Sequence, residues 1–145
     1  VPNNLMPYIT QTAIGRRAQL KVFGKDYNTK DGTAIRDYIH VVDLANAHVA
    51  ALNHLKRFSS FGYDVFNVGT GQGYTVLEVI ASFEKMAGVK LNYTFAERRP
   101  GDVEAIYADT QKIHQVLGWQ ASHSLDDMTR SSWNWEQRIH AKQKF

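Results

Sequence analysis

Apolar residues recur at helical spacing near the start of the chain, at Leu5, Ile9, Ala13 and Ile14, and Gly15 closes the run. Asn3-Asn4 precede it; an asparagine side chain can accept from the free amides of a first turn, where Pro7 is also tolerated. Leu20-Lys21-Val22-Phe23 predicts a short strand. A polar loop from Gly24 to Gly32 follows, and its Asp31-Gly32 pair favours a turn. Alternation from Ile35 to Val41 predicts a second strand. Asp43 then caps a helix with Leu44, Ala47, Ala51, Leu52 and Leu55 on one side. Phe58 to Tyr63 reads as loop, and Asp64 to Val68 as a strand bounded by glycines.

Thr75-Val76-Leu77-Glu78 is a capping box, which satisfies two orphan amides at a helix start. The helix it opens runs to about Ala87, with Gly88 as its left-handed terminator. A strand over Lys90 to Phe95, a charged loop over Glu97 to Asp102 and a short strand near Ala105 to Tyr107 follow. Thr110 to Leu117 predicts a short helix ending at Gly118. Ser124-x-x-Asp127 opens a final amphipathic helix carrying Met128, Trp133, Trp135 and Ile139. The two tryptophans stand two apart and cannot share a face, so one belongs to the core and the other to the surface. Strands and helices alternate without repeats, which predicts an α/β or α+β fold in a single domain over residues 1–145.

Composition narrows the classes. A chain of 145 residues, 43% hydrophobic, can build one core and is not a disordered polymer. With no cysteine there is no disulfide scaffold, thiolate metal site or thiol nucleophile. No apolar run approaches the ~20 residues of a membrane span, and no secretory signal opens the chain. A soluble, cytoplasmic protein with no membrane partner is expected. The net charge of +3 is scattered over Arg16-Arg17, Lys56-Arg57, Arg98-Arg99 and Lys142/Lys144. Nucleic-acid binders concentrate such charge on one face, so no nucleic-acid partner is expected. The chain opens on Val1 and reads as a piece of something longer.

Candidate chemistry is sparse. The Gly69-x-Gly71-x-Gly73 loop follows a predicted strand and opens a helix, the setting of a phosphate cradle. Its spacing differs from the dinucleotide fingerprint, however, and a simple turn is the plainer reading. The six histidines form no metal-binding pattern and no nucleophile elbow is present. Arg36, inside a predicted strand, and Arg99, in a loop with Asp102 three residues on, are better candidates. A planar guanidinium binds phosphate through two hydrogen bonds, and a nearby carboxylate can accept from ribose hydroxyls. Structural ion pairs are the alternative for both.

Longer strings carry a resemblance. Pro2-Asn3-Asn4-Leu5-Met6-Pro7-Tyr8-Ile9, the run from Phe23 to Thr33, and Arg36-Asp37-Tyr38-Ile39-His40-Val41-Val42-Asp43-Leu44-Ala45 resemble the UDP-glucose 4-epimerases. Phe66 to Gly71, Arg98-Arg99-Pro100-Gly101-Asp102 and Leu117-Gly118-Trp119 follow in family order. The epimerases are extended short-chain dehydrogenase/reductases, and other members of that class share the Arg36 to Val41 string.

The resemblance implies the C-terminal, substrate-binding portion of an enzyme that interconverts UDP-glucose and UDP-galactose in galactose metabolism. In the family, a tyrosine takes the C4 hydroxyl proton while NAD takes the C4 hydride, and the 4-ketose turns over before hydride returns. The family's G-x-x-G-x-x-G loop and Tyr-x-x-x-Lys pair do not occur here; Tyr27-x-x-Lys30 is one residue short. NAD would therefore sit on a missing N-terminal Rossmann domain, and the piece alone is expected to be inactive. By resemblance Asn4 and the Leu5 amide lie at the pyrophosphate, and Arg36 and Arg99 clamp it. Lys21, Val22 and Phe23 offer main-chain groups and a ring to uracil, Asp102 takes a ribose hydroxyl, and Val76 lies near the base or ribose. Ile106 stands where epimerases confined to plain hexoses carry tyrosine, which implies a roomier sugar pocket.

The uncovered face toward the missing domain implies self-association or a rearranged segment that covers it. Two other readings stay open: a related nucleotide-sugar decarboxylase or dehydratase, and a stand-alone nucleotide-binding module.

Overall fold

The computed structural model describes residues 4–57 and 62–142. Pro2 and Asn3, Lys144 and residues 58–61 of the loop expected at 58–63 lie outside these residues. The elements in order are α1 (Leu5–Ala13), β1 (Leu20–Phe23), β2 (Ile35–Arg36), α2 (Val41–Leu55), β3 (Tyr74–Thr75), α3 (Val76–Ala87), β4 (Tyr93–Ala96), β5 (Ala105–Ile106), α4 (Gln111–Leu117) and α5 (Leu125–Lys142). β1 pairs with β4 in parallel, whereas β2 is the middle strand of a second sheet, antiparallel to β3 and parallel to β5. The fold is a mixture of helices and small sheets.

Local signals explain most of the helix ends. Thr75 and Glu78 close a reciprocal capping box on α3, and the Ser124 hydroxyl and Asp127 carboxylate do the same for α5. Gly88 and Gly118 end α3 and α4 in the left-handed conformation (φ 67° and 65°). Two expected caps differ. Asn4 is the N-cap of α1, but its side chain makes no capping hydrogen bond. α2 is capped by His40, whose Nδ1 accepts from the Val42 amide; Asp43 instead sits inside the first turn and is buried.

The strand predictions were longer than what forms. Of 35–41 only Ile35–Arg36 is strand, because the chain must leave the sheet to let His40 cap α2. The last strand of the first sheet lies at 93–96, set by its parallel register with β1, not at 90–95. Residues 64–68 are not a strand at all: they have no ladder partner among the described residues, and an alternating pattern cannot make a strand without one.

Two apolar clusters hold the structure. The first joins Ile9 of α1, Leu20 and Val22 of β1, Val79, Ile80 and Phe83 of α3, Leu91, and Leu125 and Met128 of α5. Trp133 packs against it edge-on to Phe83, with ring centroids 5.7 Å apart, whereas Trp135 is exposed. A polar stitch adds to the α1–α5 seam: the Thr10 hydroxyl donates to Glu136 Oε2 (3.0 Å), and Arg16 pairs with Glu136 Oε1 (3.1 Å). The second cluster, Ala47, Ile113 and Trp119, joins α2 to α4, with Phe66 and Val68 packed on it.

α2 departs from the expected one-sided burial. Only Ala47 of its apolar residues is fully buried. Val41, Val42, Leu44, Val49, Leu52 and Leu55 are exposed, Val41 to 72%. The apolar stripe is present in the sequence, but nothing in this chain covers it among the described residues.

Phe83 is fully buried at the centre of the larger cluster. Phe83→Ala is expected to lower stability by about 3–5 kcal/mol, measured by chemical denaturation, through lost burial and a residual cavity.

Candidate functional site

The three-stranded sheet puts Arg36 between Tyr74 of β3 and Ile106 of β5, its register partners on either side. The loop entering β5 turns at Gly101 (φ 81°), where the Asp102 amide donates to the Arg99 carbonyl (3.1 Å). This turn brings Arg99 back toward β2. Asp102 then accepts from both arginines: from Arg99 Nε at 2.9 Å and Nη2 at 3.3 Å, and from Arg36 Nη2 at 3.4 Å. Arg36 Nη1 donates to the Ile35 carbonyl (2.7 Å). Two cations 63 positions apart in the chain thus converge on one carboxylate.

Further groups border this cluster. The Arg99 guanidinium lies 5.2 Å from the centroid of Phe23, which joins the end of β1 to the cluster. Tyr38, which the sequence reading did not single out, is half-buried beside both arginines. Burial pushes its phenol up to about 12 against the pull of Arg36 and Arg99, so it is neutral at physiological pH. Its sequence signal is its place two residues after Arg36, within the string from Arg36 to Ala45.

The other expected site residues differ in exposure. Asn4 is exposed and Leu5 half-buried at the start of α1; Val76 opens α3. Leu5, Tyr38, Tyr74 and Val76 all pack on the larger apolar cluster. In β1, Lys21 and Phe23 are exposed and Val22 is buried, so only the main chain of Val22 is available to a ligand. Ile106 is 57% exposed on the central sheet beside Arg36.

The glycine loop is a turn occupied by a side chain of the protein itself. The Asp37 carboxylate accepts from the Thr70 amide (2.9 Å), the Thr70 hydroxyl (2.6 Å), the Gly71 amide (3.0 Å) and the Ala108 amide (3.1 Å). A Cβ at Gly69 would overlap Asp37 and Ala108. These amides form an anion cradle, but the anion is the protein's own. A phosphate role for this loop is therefore set aside. Beside it opens a cleft of about 480 Å³ lined by Thr70, Asp109, His114 and Trp119 among others; neither Arg36 nor Arg99 borders it.

A second polar cluster fastens α2 to the start of α5. Buried Asp43 accepts from the Ser122 amide and hydroxyl and from the amide and Nδ1 of His123. Burial opposes the Asp43 charge, but these hydrogen bonds outweigh it and hold the carboxyl below its ordinary range. The His123 ring stacks on His40 at 4.2 Å. Because His40 Nδ1 accepts from Val42, its proton lies on Nε2 and is donated to Ser131 Oγ (3.0 Å). Burial, then the neighbouring His123, lowers the His40 pKa.

Helices over small sheets, with two guanidinium groups gathered on one carboxylate at a strand and a glycine turn, define a mixed α/β protein with a paired-cation cluster. The sequence profile of the GDP-mannose 4,6 dehydratase family matches residues 1–132, and the chain belongs to that family. It is 56% identical over 135 residues to the bifunctional UDP-glucose 4-epimerase and UDP-xylose 4-epimerase 3 of Arabidopsis thaliana, covering 93% of this chain and 38% of that protein.

Solved structures agree. A UDP-glucose 4-epimerase from Stenotrophomonas maltophila, holding NAD and formylated UDP-arabinopyranose, superposes with a TM-score of 0.92 at 45% identity, over 97% of this chain and 41% of the other. One from Bifidobacterium longum, with NAD+ and UDP, gives 0.89 at 49% identity, over 95% and 40%. The chain spans about two fifths of the length of these relatives.

The His40 arrangement has a pH signature. An unfolded chain protonates histidine near pH ~6.5, whereas folded His40 does so only at lower pH. Its contribution is therefore fully present above that value and is lost as pH falls toward the folded value. Denaturation midpoints are expected to drop between about pH 7 and pH 5, and His40→Gln to flatten that slope; an equal slope in the variant would contradict the assignment.

Proposed function

We propose that this chain forms the UDP-sugar-binding part of a UDP-glucose 4-epimerase, an enzyme of galactose metabolism in the cytoplasm that interconverts UDP-glucose and UDP-galactose. The observation that supports this most directly is the convergence of Arg36 and Arg99 on one point beside Phe23. On this reading the two guanidinium groups take the pyrophosphate, and Asn4 and the Leu5 amide add donors from the start of α1. The main chain of Lys21, Val22 and Phe23 meets uracil, with the Phe23 ring beside it. Asp102 accepts from a ribose hydroxyl, and Val76 borders the nucleoside. Ile106, less bulky than a tyrosine and without its hydroxyl, leaves room for a larger sugar than a plain hexose.

Anchoring a nucleotide sugar by its phosphates places the binding free energy away from the reacting carbon. Interactions with non-reacting parts of a substrate position the rest for chemistry. They also leave the hexose free to present either face.

NAD, present in the solved relatives, does not fit the one glycine cradle this chain has, because Asp37 already fills it. We therefore assign cofactor binding and the C4 chemistry to an N-terminal Rossmann portion of the enzyme, and expect the 145-residue chain alone to be inactive. The same portion is the proposed partner of the exposed apolar face of α2, and the unpaired stretch 64–68 lies beside that helix in the second cluster. Without it, a second copy of this chain covers the face, since apolar patches of this kind seldom remain open in monomers. Light scattering is expected to report dimers or larger species that dissociate in Leu52→Glu; a clean monomer of the unaltered chain would defeat the self-association.

Titration of the chain with UDP, followed by arginine side-chain nuclear magnetic resonance signals, tests the site. Binding is expected to be weak, above micromolar, because one wall is absent. Charge-assisted hydrogen bonds contribute about 1.5–3 kcal/mol each, so Arg36→Ala or Arg99→Ala should weaken binding by about tenfold or more. UDP that leaves both arginines unmoved would overturn the reading.

A further inference from the structure

Arg36 and Arg99 would repel one another were they brought together with nothing between them. What lies between them is Asp102, most of whose side chain is shielded from solvent (19% exposed), with Oδ1 shared between the two guanidinium groups and Oδ2 on Arg99 Nε. Among the described ion pairs, neither arginine has another acidic partner; the neighbouring Arg98 is engaged with Asp26. Tyr38, beside both arginines, is neutral. The three charged groups therefore carry one net positive charge.

We propose that Asp102 is a positioning residue, a built-in counter-ion that holds the two arginines together before any ligand arrives and favours pyrophosphate diesters over more highly charged free phosphates. The inference rests on the pyrophosphate reading of the site. A diester-linked pyrophosphate, as in a nucleotide sugar, carries one charge per phosphate. A terminal phosphate ionises a second time near pH ~6 and so brings extra negative charge against the Asp102 carboxylate. The carboxylate thus acts in two opposite ways: it gathers the cations that attract the ligand, and it penalises each surplus charge on that ligand.

The test uses the whole chain and two probes, UDP-glucose and inorganic pyrophosphate, with arginine Nε–H signals as the readout. In the unaltered protein the Arg36 and Arg99 signals are expected to move along one pyrophosphate titration curve; separate curves would overturn the shared site. Asp102→Asn keeps the shape and removes the charge. It is expected to tighten inorganic pyrophosphate itself by roughly threefold to tenfold at low salt, a gain that added salt erodes, whereas loss of a ribose contact alone would leave pyrophosphate affinity unchanged and defeat the counter-ion role. Asp102→Glu is expected to restore most of the original preference. Asp102→Ser serves as a second neutral variant should the first lose the amide dispersion of a folded chain. Equal weakening of both probes in a folded neutral variant would make Asp102 a plain structural brace and defeat the counter-ion role alone. If neither probe moves either arginine in the unaltered chain, the pyrophosphate reading itself fails.

Discussion

The carboxylate of Asp37 gathers hydrogen-bond donors from two loops that are far from it in sequence, and the geometry around Arg36 depends on this. Thr70 and Gly71 belong to the turn before β3, and Ala108 to the exit from β5. β3 and β5 are only two residues long, too short for ladder hydrogen bonds alone to fix their positions against β2. An anion at the end of β2 that draws in the amides beyond both neighbours closes the sheet from the side. Arg36, immediately before Asp37, is thereby fixed with Tyr74 and Ile106 flanking it.

The same economy of short elements explains why the site lies between elements and not on one. Arg36 comes from a strand and Arg99 and Asp102 from a glycine turn, while Phe23 ends the strand of a different sheet. Each is rigidified by its own local structure, but they meet only because the larger apolar cluster packs α1, β1, α3 and α5 into one body. The shared Asp102 carboxylate holds the two cations close to one another.

α2 shows the opposite case, an element whose apolar pattern is not matched by burial among the described residues. Its apolar stripe is longer than the small cluster of Ala47, Ile113 and Trp119 can cover. The alternating residues at 64–68 likewise ask for a neighbouring strand. Both features belong on the side of the molecule held by Asp43, His123 and His40, where polar contacts, not apolar burial, fasten α2 to the start of α5. The chain spans about two fifths of the length of its relatives.

What the sequence determined by itself were features whose partners lie within a few residues. The Thr75–Glu78 and Ser124–Asp127 capping boxes and the glycine terminators of α3 and α4 could be read because a helix end satisfies its amides locally. The strings around Arg36 and Arg99 carried a family likeness, and so a candidate ligand, but gave no distance between them. Tertiary structure decided that distance, the sharing of Asp102, and the use of the glycine loop to hold Asp37. It also decided which alternating segments became strands, since a strand exists only where another offers its hydrogen-bonding edge. Those outcomes depend on contacts between residues tens of positions apart, which a local pattern cannot encode.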